Sequence, residues 1–227
     1  MPLINLPSII IVNILLILGV ANSESAYAKT NQIIDIAYLT QEQVVPPSLS
    51  NLDPFIKDKG VIGAELGIDD DNTTGKFIGQ QFNLKRFVVP IDGNIIRVFD
   101  KEISKKFQYL VINLSASQAT QLVDLPAAKK MLLFDVGTID DALRNEQCRS
   151  NVLHFLPSRA MRADALAQYM MKKRWTKWFL VVGSRQEDLL FANALKRSAK
   201  RFGLEIVAEK TWDHTYDKRR TAQSDVG

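Results

Sequence analysis

Two short polar turns carry the residue types best placed to do chemistry. Ser115-Ala116-Ser117 follows the apolar run Tyr109–Leu114, and Gly137-Thr138 follows the apolar run Met131–Val136. Where a strand gives way to a helix, the first backbone N–H groups have no partner and the helix dipole is positive, which favours an anion. Hydroxyls of Ser and Thr add further donors and acceptors. Ser115–Ser117 also reads as a plain helix-capping turn that needs no ligand. No nucleophile stands beside a base, and no His/Cys/carboxylate cluster has metal-ligand spacing. Neither a Gly-x-Ser-x-Gly elbow nor a phosphate-binding Gly-rich loop occurs, and Gly75-Lys76 lacks the earlier glycine of a P-loop. The chain therefore reads as not an enzyme, with no cofactor and no metal.

The elements that must hold these turns follow from the hydrophobic pattern. Continuous apolar runs without alternation suit strands buried on both faces, as in a parallel sheet covered by helices. In open α/β sheets, ligands bind beyond the carboxyl ends of the strands. Both turns belong at that edge. Ile33–Leu39 reads as the first strand, followed by a Pro- and Ser-containing loop from Thr40 to Asn51. A helix is expected from Asp53 to Asp71, ended by Asn72–Gly75, with Gly60, Gly63 and Gly67 permitting close packing on the sheet. Phe87–Val89 reads as a strand core ended by Pro90, Ile95–Val98 as a short strand or extended run, and Lys101–Lys106 as a short helical stretch. Val152–Leu156 is a further strand. Ser158 caps a helix Arg159–Arg174, whose apolar face is Met161, Ala165 and Tyr169 with Leu166 and Met170. Lys177–Gly183 is a strand, Gln186–Phe202 a helix closed by Gly203, and Leu204–Ala208 a strand. Alternating strands and helices make an α/β protein. The tail Asp213–Gly227 is polar and has no apolar period.

The 227 residues are 46% hydrophobic and 24% charged, with a formal net charge of +4, the balance of a globular protein with a core. Residues 1–28 read as a signal peptide. Ile9–Val20 is too short an apolar stretch for a comfortable span, and Ala26-Tyr27-Ala28 has the small-x-small pattern that places cleavage after Ala28. No Lys or Arg precedes the apolar core, a departure from the usual pattern. Export to the periplasm follows. Lys172–Arg174 and Lys196–Arg201 read as solvated basic faces, so no nucleic acid is expected. The single cysteine, Cys148, excludes an intramolecular disulfide, and a free thiol in an exported protein is expected to be buried. His154 reads as a packed, hydrogen-bonded histidine; Trp175 and Trp178 read as packing residues. Asp69-Asp70-Asp71 fails as a calcium loop, because Thr74 and Gln80 stand where Gly and Glu are needed.

Three stretches, GAELGIDDDNTTGKFIG, HFLPSRAMRADALAQYMMKKRW and WFLVVGS, carry a resemblance that covers nearly all of the mature chain. It resembles type I periplasmic substrate-binding proteins of ABC importers, the leucine/isoleucine/valine-binding class, and within them a branch associated with PQQ-dependent alcohol oxidation. The resemblance implies two α/β lobes closing on a small-molecule ligand, delivery to a membrane permease, and a monomer if full length. It implies a first lobe over 29–174, mostly present, and an incomplete second lobe starting at 175–227, so that the chain looks truncated. By position in the family, Ser115, Ala116 and Ser117, with Gly137 and Thr138, hold the ligand's carboxylate and ammonium. Ile139 stands where the family has a Thr, which weakens the case for an α-amino acid and raises that for a carboxylate or less polar molecule. A periplasmic sensor or accessory protein of alcohol oxidation is the alternative. On this basis Ser117→Ala and Thr138→Val are expected to weaken binding with little loss of fold.

Overall fold

The computed structural model describes residues 31–44 and 60–212. The stretch expected to be a signal peptide, most of the loop to Asn51, the first residues of the helix expected from Asp53, and the tail with His214 lie outside the described residues. Five strands form one sheet: β1 (Gln32–Gln41), β2 (Gln80–Val89), β3 (Tyr109–Asn113), β4 (Leu132–Asp135) and β5 (Val152–His154), in the order β2-β1-β3-β4-β5. Every pairing is parallel. A second sheet pairs β6 (Lys177–Gly183) with β7 (Glu205–Trp212), also parallel. The register sets Thr40 beside Asn113, Ile112 beside Asp135, and Asp135 beside His154. The carboxyl ends of β1, β3, β4 and β5 therefore form one edge.

The main core lies on one face of the first sheet. Ala37, Leu39, Leu110, Ile112 and Leu133 meet Ile95, Phe99, Ile103, Ala119 and Leu122 there. Ile95–Val98 is helix α2 rather than a strand, and it continues as a wider π-helical turn, Phe99–Ile103. Asn94 caps it by accepting from the Arg97 N–H at 2.9 Å. Ile95, Phe99 and Ile103, four apart, are all buried, which is a helical face.

Helix α1 (Val61–Ile78) runs through Asn72–Gly75 and closes at Gly79, whose φ of 76° is the left-handed cap. Asn72 does not end it: its side chain accepts from the Phe82 N–H at 2.7 Å and donates to the Phe82 carbonyl at 2.9 Å, pinning α1 to β2. Gly63 and Gly67 have open space where a Cβ would stand, so they do not serve close packing. Gly60 does, since a Cβ there would meet the Tyr38 hydroxyl at 2.8 Å.

Helix α4 (Arg159–Lys173) is capped by Ser158 as expected; Ser158 Oγ accepts from the Met161 N–H at 3.3 Å. Its apolar stripe is on the outside: Met161, Leu166 and Tyr169 are exposed. The buried apolar positions are Ala163 and Ala167, which let α4 approach α5 (Gln186–Phe202) closely. Ala167 clusters with Ala199 and Leu204, and Trp178, Phe202 and Ile206 pack around them. Through these contacts α4 packs with α5 and the second sheet. Trp175 is exposed while Trp178 packs. Cys148 is exposed, contrary to expectation, because it lies in the turn-rich connection between β4 and β5.

Arg197 and Arg201 stay exposed, as expected of a solvated face, and both also reach Asp164 of α4. Asp164 accepts from Arg197 at 2.6 Å, from Arg201 at 2.9 Å, and from the Ser198 hydroxyl. Burial pushes the Asp164 carboxyl up, but the Ser198 and Arg197 hydrogen bonds and the two arginine charges outweigh it and hold the carboxyl below its ordinary value. A depressed folded value contributes stability above the unfolded aspartate value of about 3.9 and loses it as pH falls below that. The α4–α5 contact is therefore expected to loosen in acid, and Asp164→Asn to flatten that pH dependence in thermal melts between about pH 5 and 2.

Candidate functional site

The first turn is built by the end of β3. Leu114 is buried, and Ser115 opens α3 (Ala116–Val123) with a reciprocal cap. Ser115 Oγ accepts from the Gln118 N–H at 3.4 Å, and Gln118 Oε1 accepts from the Ser115 N–H at 3.1 Å and from its hydroxyl at 2.9 Å. The Ser115 side chain is thus used by the helix itself. Ala116 and Ser117 carry the first N–H groups inside α3, which an α-helix leaves without an internal acceptor. Ser117 is exposed, and its Oγ accepts from Gln121 Nε2 at 3.3 Å, leaving the hydroxyl proton available to a ligand.

The second turn is organised from beneath. Asp135, the last residue of β4, is 1% exposed. Its Oδ1 accepts from the Gly137 N–H at 3.1 Å and the Thr138 N–H at 3.0 Å, and its Oδ2 accepts from the Thr138 hydroxyl. On the far side, Oδ2 lies 2.7 Å from His154 Nδ1, and His154 Nε2 lies 3.2 Å from the Leu143 carbonyl. His154 is the packed, hydrogen-bonded histidine expected. Beside the pair is a cavity of about 10 Å³, lined by Asp135, His154, Gln147, Arg149 and apolar neighbours, with room for about one water.

The structure brings the two turns into contact. A Cβ on Gly137 would fall 2.6 Å from the Leu114 nitrogen and 2.7 Å from its carbonyl oxygen, so the second turn rests directly on the backbone that leads into the first. Further along the edge, Asn113 Nδ2 donates to the Tyr38 hydroxyl at 3.1 Å, and Thr40 donates to the Asn113 carbonyl at 3.1 Å. Burial pushes the Tyr38 phenol up, against the opposing effect of the Asn113 bond. Gln41 clips the edge: its Nε2 faces the carbonyls of Pro90, Ile91 and Gly93 at 2.9, 2.9 and 3.0 Å, and its Oε1 accepts from Gln118.

Asp135, Gln41 and Gln118 were not singled out from the sequence. Asp135 left one signal, a lone charge closing an otherwise apolar strand. Among the described residues, no group of three metal-binding side chains converges, and no helix is long and apolar enough to cross a membrane.

The fold is shared with solved solute-binding proteins. An ABC transporter substrate-binding protein from Desulfitobacterium hafniense, in complex with Leu, superposes with a TM-score of 0.59 at 16% identity, over 81% of this chain and 51% of that one. A branched chain amino acid ABC transporter periplasmic ligand-binding protein from Burkholderia xenovorans gives 0.61 at 18% identity, over 84% and 49%. The leucine-, isoleucine-, valine-, threonine- and alanine-binding protein of Brucella ovis, in a closed conformation, gives 0.58 at 18% identity, over 80% and 47%. The chain thus spans about half the length of the structures it matches. No curated protein matches it. The periplasmic binding protein family matches residues 97–217, more than half of the sequence and a range that takes in β3, both turns and the second sheet: by that match, the chain belongs to the periplasmic binding protein family.

Proposed function

We propose that this chain is the solute-binding component of an ABC-type importer. In this reading it is exported to the periplasm and holds a small organic molecule for a membrane permease, without turning it over. The observation that carries the reading is the pair of touching turns at the carboxyl edge of a parallel sheet, with the Ala116 and Ser117 N–H groups at the start of α3. In a chain of this family, that arrangement suits a ligand bearing a carboxylate. Ala116 and Ser117 would supply the anion's donors in the turn that Ser115 caps, while Gly137 and Thr138 would form the adjoining wall. The Gly137 and Thr138 N–H groups and the Thr138 hydroxyl are already directed at Asp135. A ligand with a single anionic group therefore fits better than one needing donors from both turns. Amino acids, other small carboxylates and intermediates of alcohol oxidation fall in this class.

The test is calorimetric titration of the exported protein with leucine, short carboxylates and alcohol-derived acids. Ser117→Ala should weaken binding by roughly fivefold, about 1 kcal/mol for one lost hydrogen bond. Unchanged affinity would remove the first turn from the site. The stretches shared with the branch associated with PQQ-dependent alcohol oxidation favour a second reading, a periplasmic sensor or accessory protein of that pathway. Capture of a permease by the loaded protein supports import, and capture of a sensor kinase supports sensing.

A further inference from the structure

Arg159 is the first residue of α4, yet it is only 4% exposed. Its Nη1 donates to Asp140 Oδ2 at 2.7 Å, and its Nη2 donates to Glu187, in the first turn of α5. The Arg159 N–H donates to the Ile139 carbonyl at 2.9 Å, and the next N–H, of Ala160, donates to Asp141 Oδ1 at 2.9 Å. Residues 139–141 come directly after Thr138. They are thus fastened to the start of α4, and through Arg159 to α5, while Thr138 itself is fastened to Asp135 in the first sheet. Capping does not require this arrangement, because Ser158 already caps α4. Nor is Glu187 placed by burial, since its side chain is 69% exposed and still reaches back to a buried guanidinium. One cation holds two acids from opposite sides of the connection 155–158. A planar guanidinium can serve both at once, whereas an ammonium is a single point charge.

We propose that Arg159 is a positioning residue that couples the Gly137-Thr138 turn to the helices of the second sheet, so that the setting of the second sheet and the shape of this turn change together. The inference rests on the reading of that turn as part of the ligand site. Its physical content, a mechanical tie between turn and second sheet, is nevertheless measurable without ligand.

The experiment uses the full exported chain with spin labels at the native Cys148, which is exposed, and at Lys200→Cys on the exposed side of α5. Pulsed distance measurement is paired with amide exchange at Gly137 and Thr138, whose N–H groups donate to Asp135. The parent should give one narrow distance. Glu187→Gln, which alters only an exposed acid, should broaden it. Arg159→Met should broaden it further and speed exchange of the Gly137 and Thr138 amides at least tenfold, with Arg159→Lys falling between Met and the parent. Parent-like distances and exchange in both Glu187→Gln and Arg159→Met would overturn the coupling. Because neither readout needs ligand, that failure is separate from a failure of Ser117→Ala to weaken binding, which would count against the ligand turn alone.

Discussion

Asp135→Ala should cost about 3–5 kcal/mol of folding stability, because it leaves several buried donors without their acceptor at about 1–3 kcal/mol each. The carboxylate takes two backbone N–H groups, one hydroxyl and the His154 ring, and it is almost completely removed from water. Its loss strands the N–H groups of Gly137 and Thr138 and leaves His154 Nδ1 without its partner. Thr138→Val removes one donor from the same carboxylate and should cost about 1–3 kcal/mol. This corrects the expectation that Thr138→Val would spare the fold: Thr138 is 3% exposed and its hydroxyl points inward. Urea unfolding of the mature chain reads both values, with an unchanged m-value marking a loss of stability and not of compactness. A loss below about 1 kcal/mol for Asp135→Ala would show that the turn is held by something else.

Gly137→Ala should destabilise by about 1–3 kcal/mol, the usual cost of forcing extra volume into a packed site. The obstacle is backbone, which cannot swing away as a long side chain could: the added methyl meets the nitrogen and oxygen of Leu114 at 2.6 and 2.7 Å. Relief would come only by separating the two turns, so ligand affinity should fall along with stability. In a chain of this size the melting temperature should drop by about 2–4 °C for each kcal/mol. Gly63→Ala and Gly67→Ala are the matched controls. Both lie inside α1 with open space at the Cβ, and alanine there should stabilise by roughly 0.5–1 kcal/mol. A neutral Gly137→Ala beside stabilising controls would mean that the turns do not touch.

The parts of this fold that were legible in the sequence share a physical cause. Ser158, Gly203 and the run Lys177–Gly183 act through local backbone chemistry or continuous apolarity, and each appears where its residues place it. Ile95–Val98 was misread because four β-branched and polar residues fit a strand or a helix equally well. Only the four-residue spacing onward to Phe99 and Ile103 separates the two readings. The apolar face read on α4 lies outward, because an apolar stripe does not by itself say which face a neighbour covers. Helices that approach closely select small residues, and Ala163 and Ala167 are invisible to a search for large apolar ones. The positions of the two turns were readable as strand ends. Their contact through Gly137 was not, and neither was the use of Asp135 to consume the second turn's donors, since both depend on the β3–β4 register.

The uniformly parallel ladders have a kinetic consequence. Antiparallel neighbours can zip from a tight hairpin, but each parallel pair must wait for an intervening crossover to close. No two described strands form a hairpin. The described strands therefore offer no quick local β nucleus, and their sheets assemble through contacts distant in sequence, the regime of slow folding. Until they close, Phe155, Phe179 and Val181, which are still exposed at the end, have for company the residues that will become the core. Refolding should thus be a contest between crossover closure and association of the unfinished sheets, one that dilution favours and crowding at high protein concentration does not.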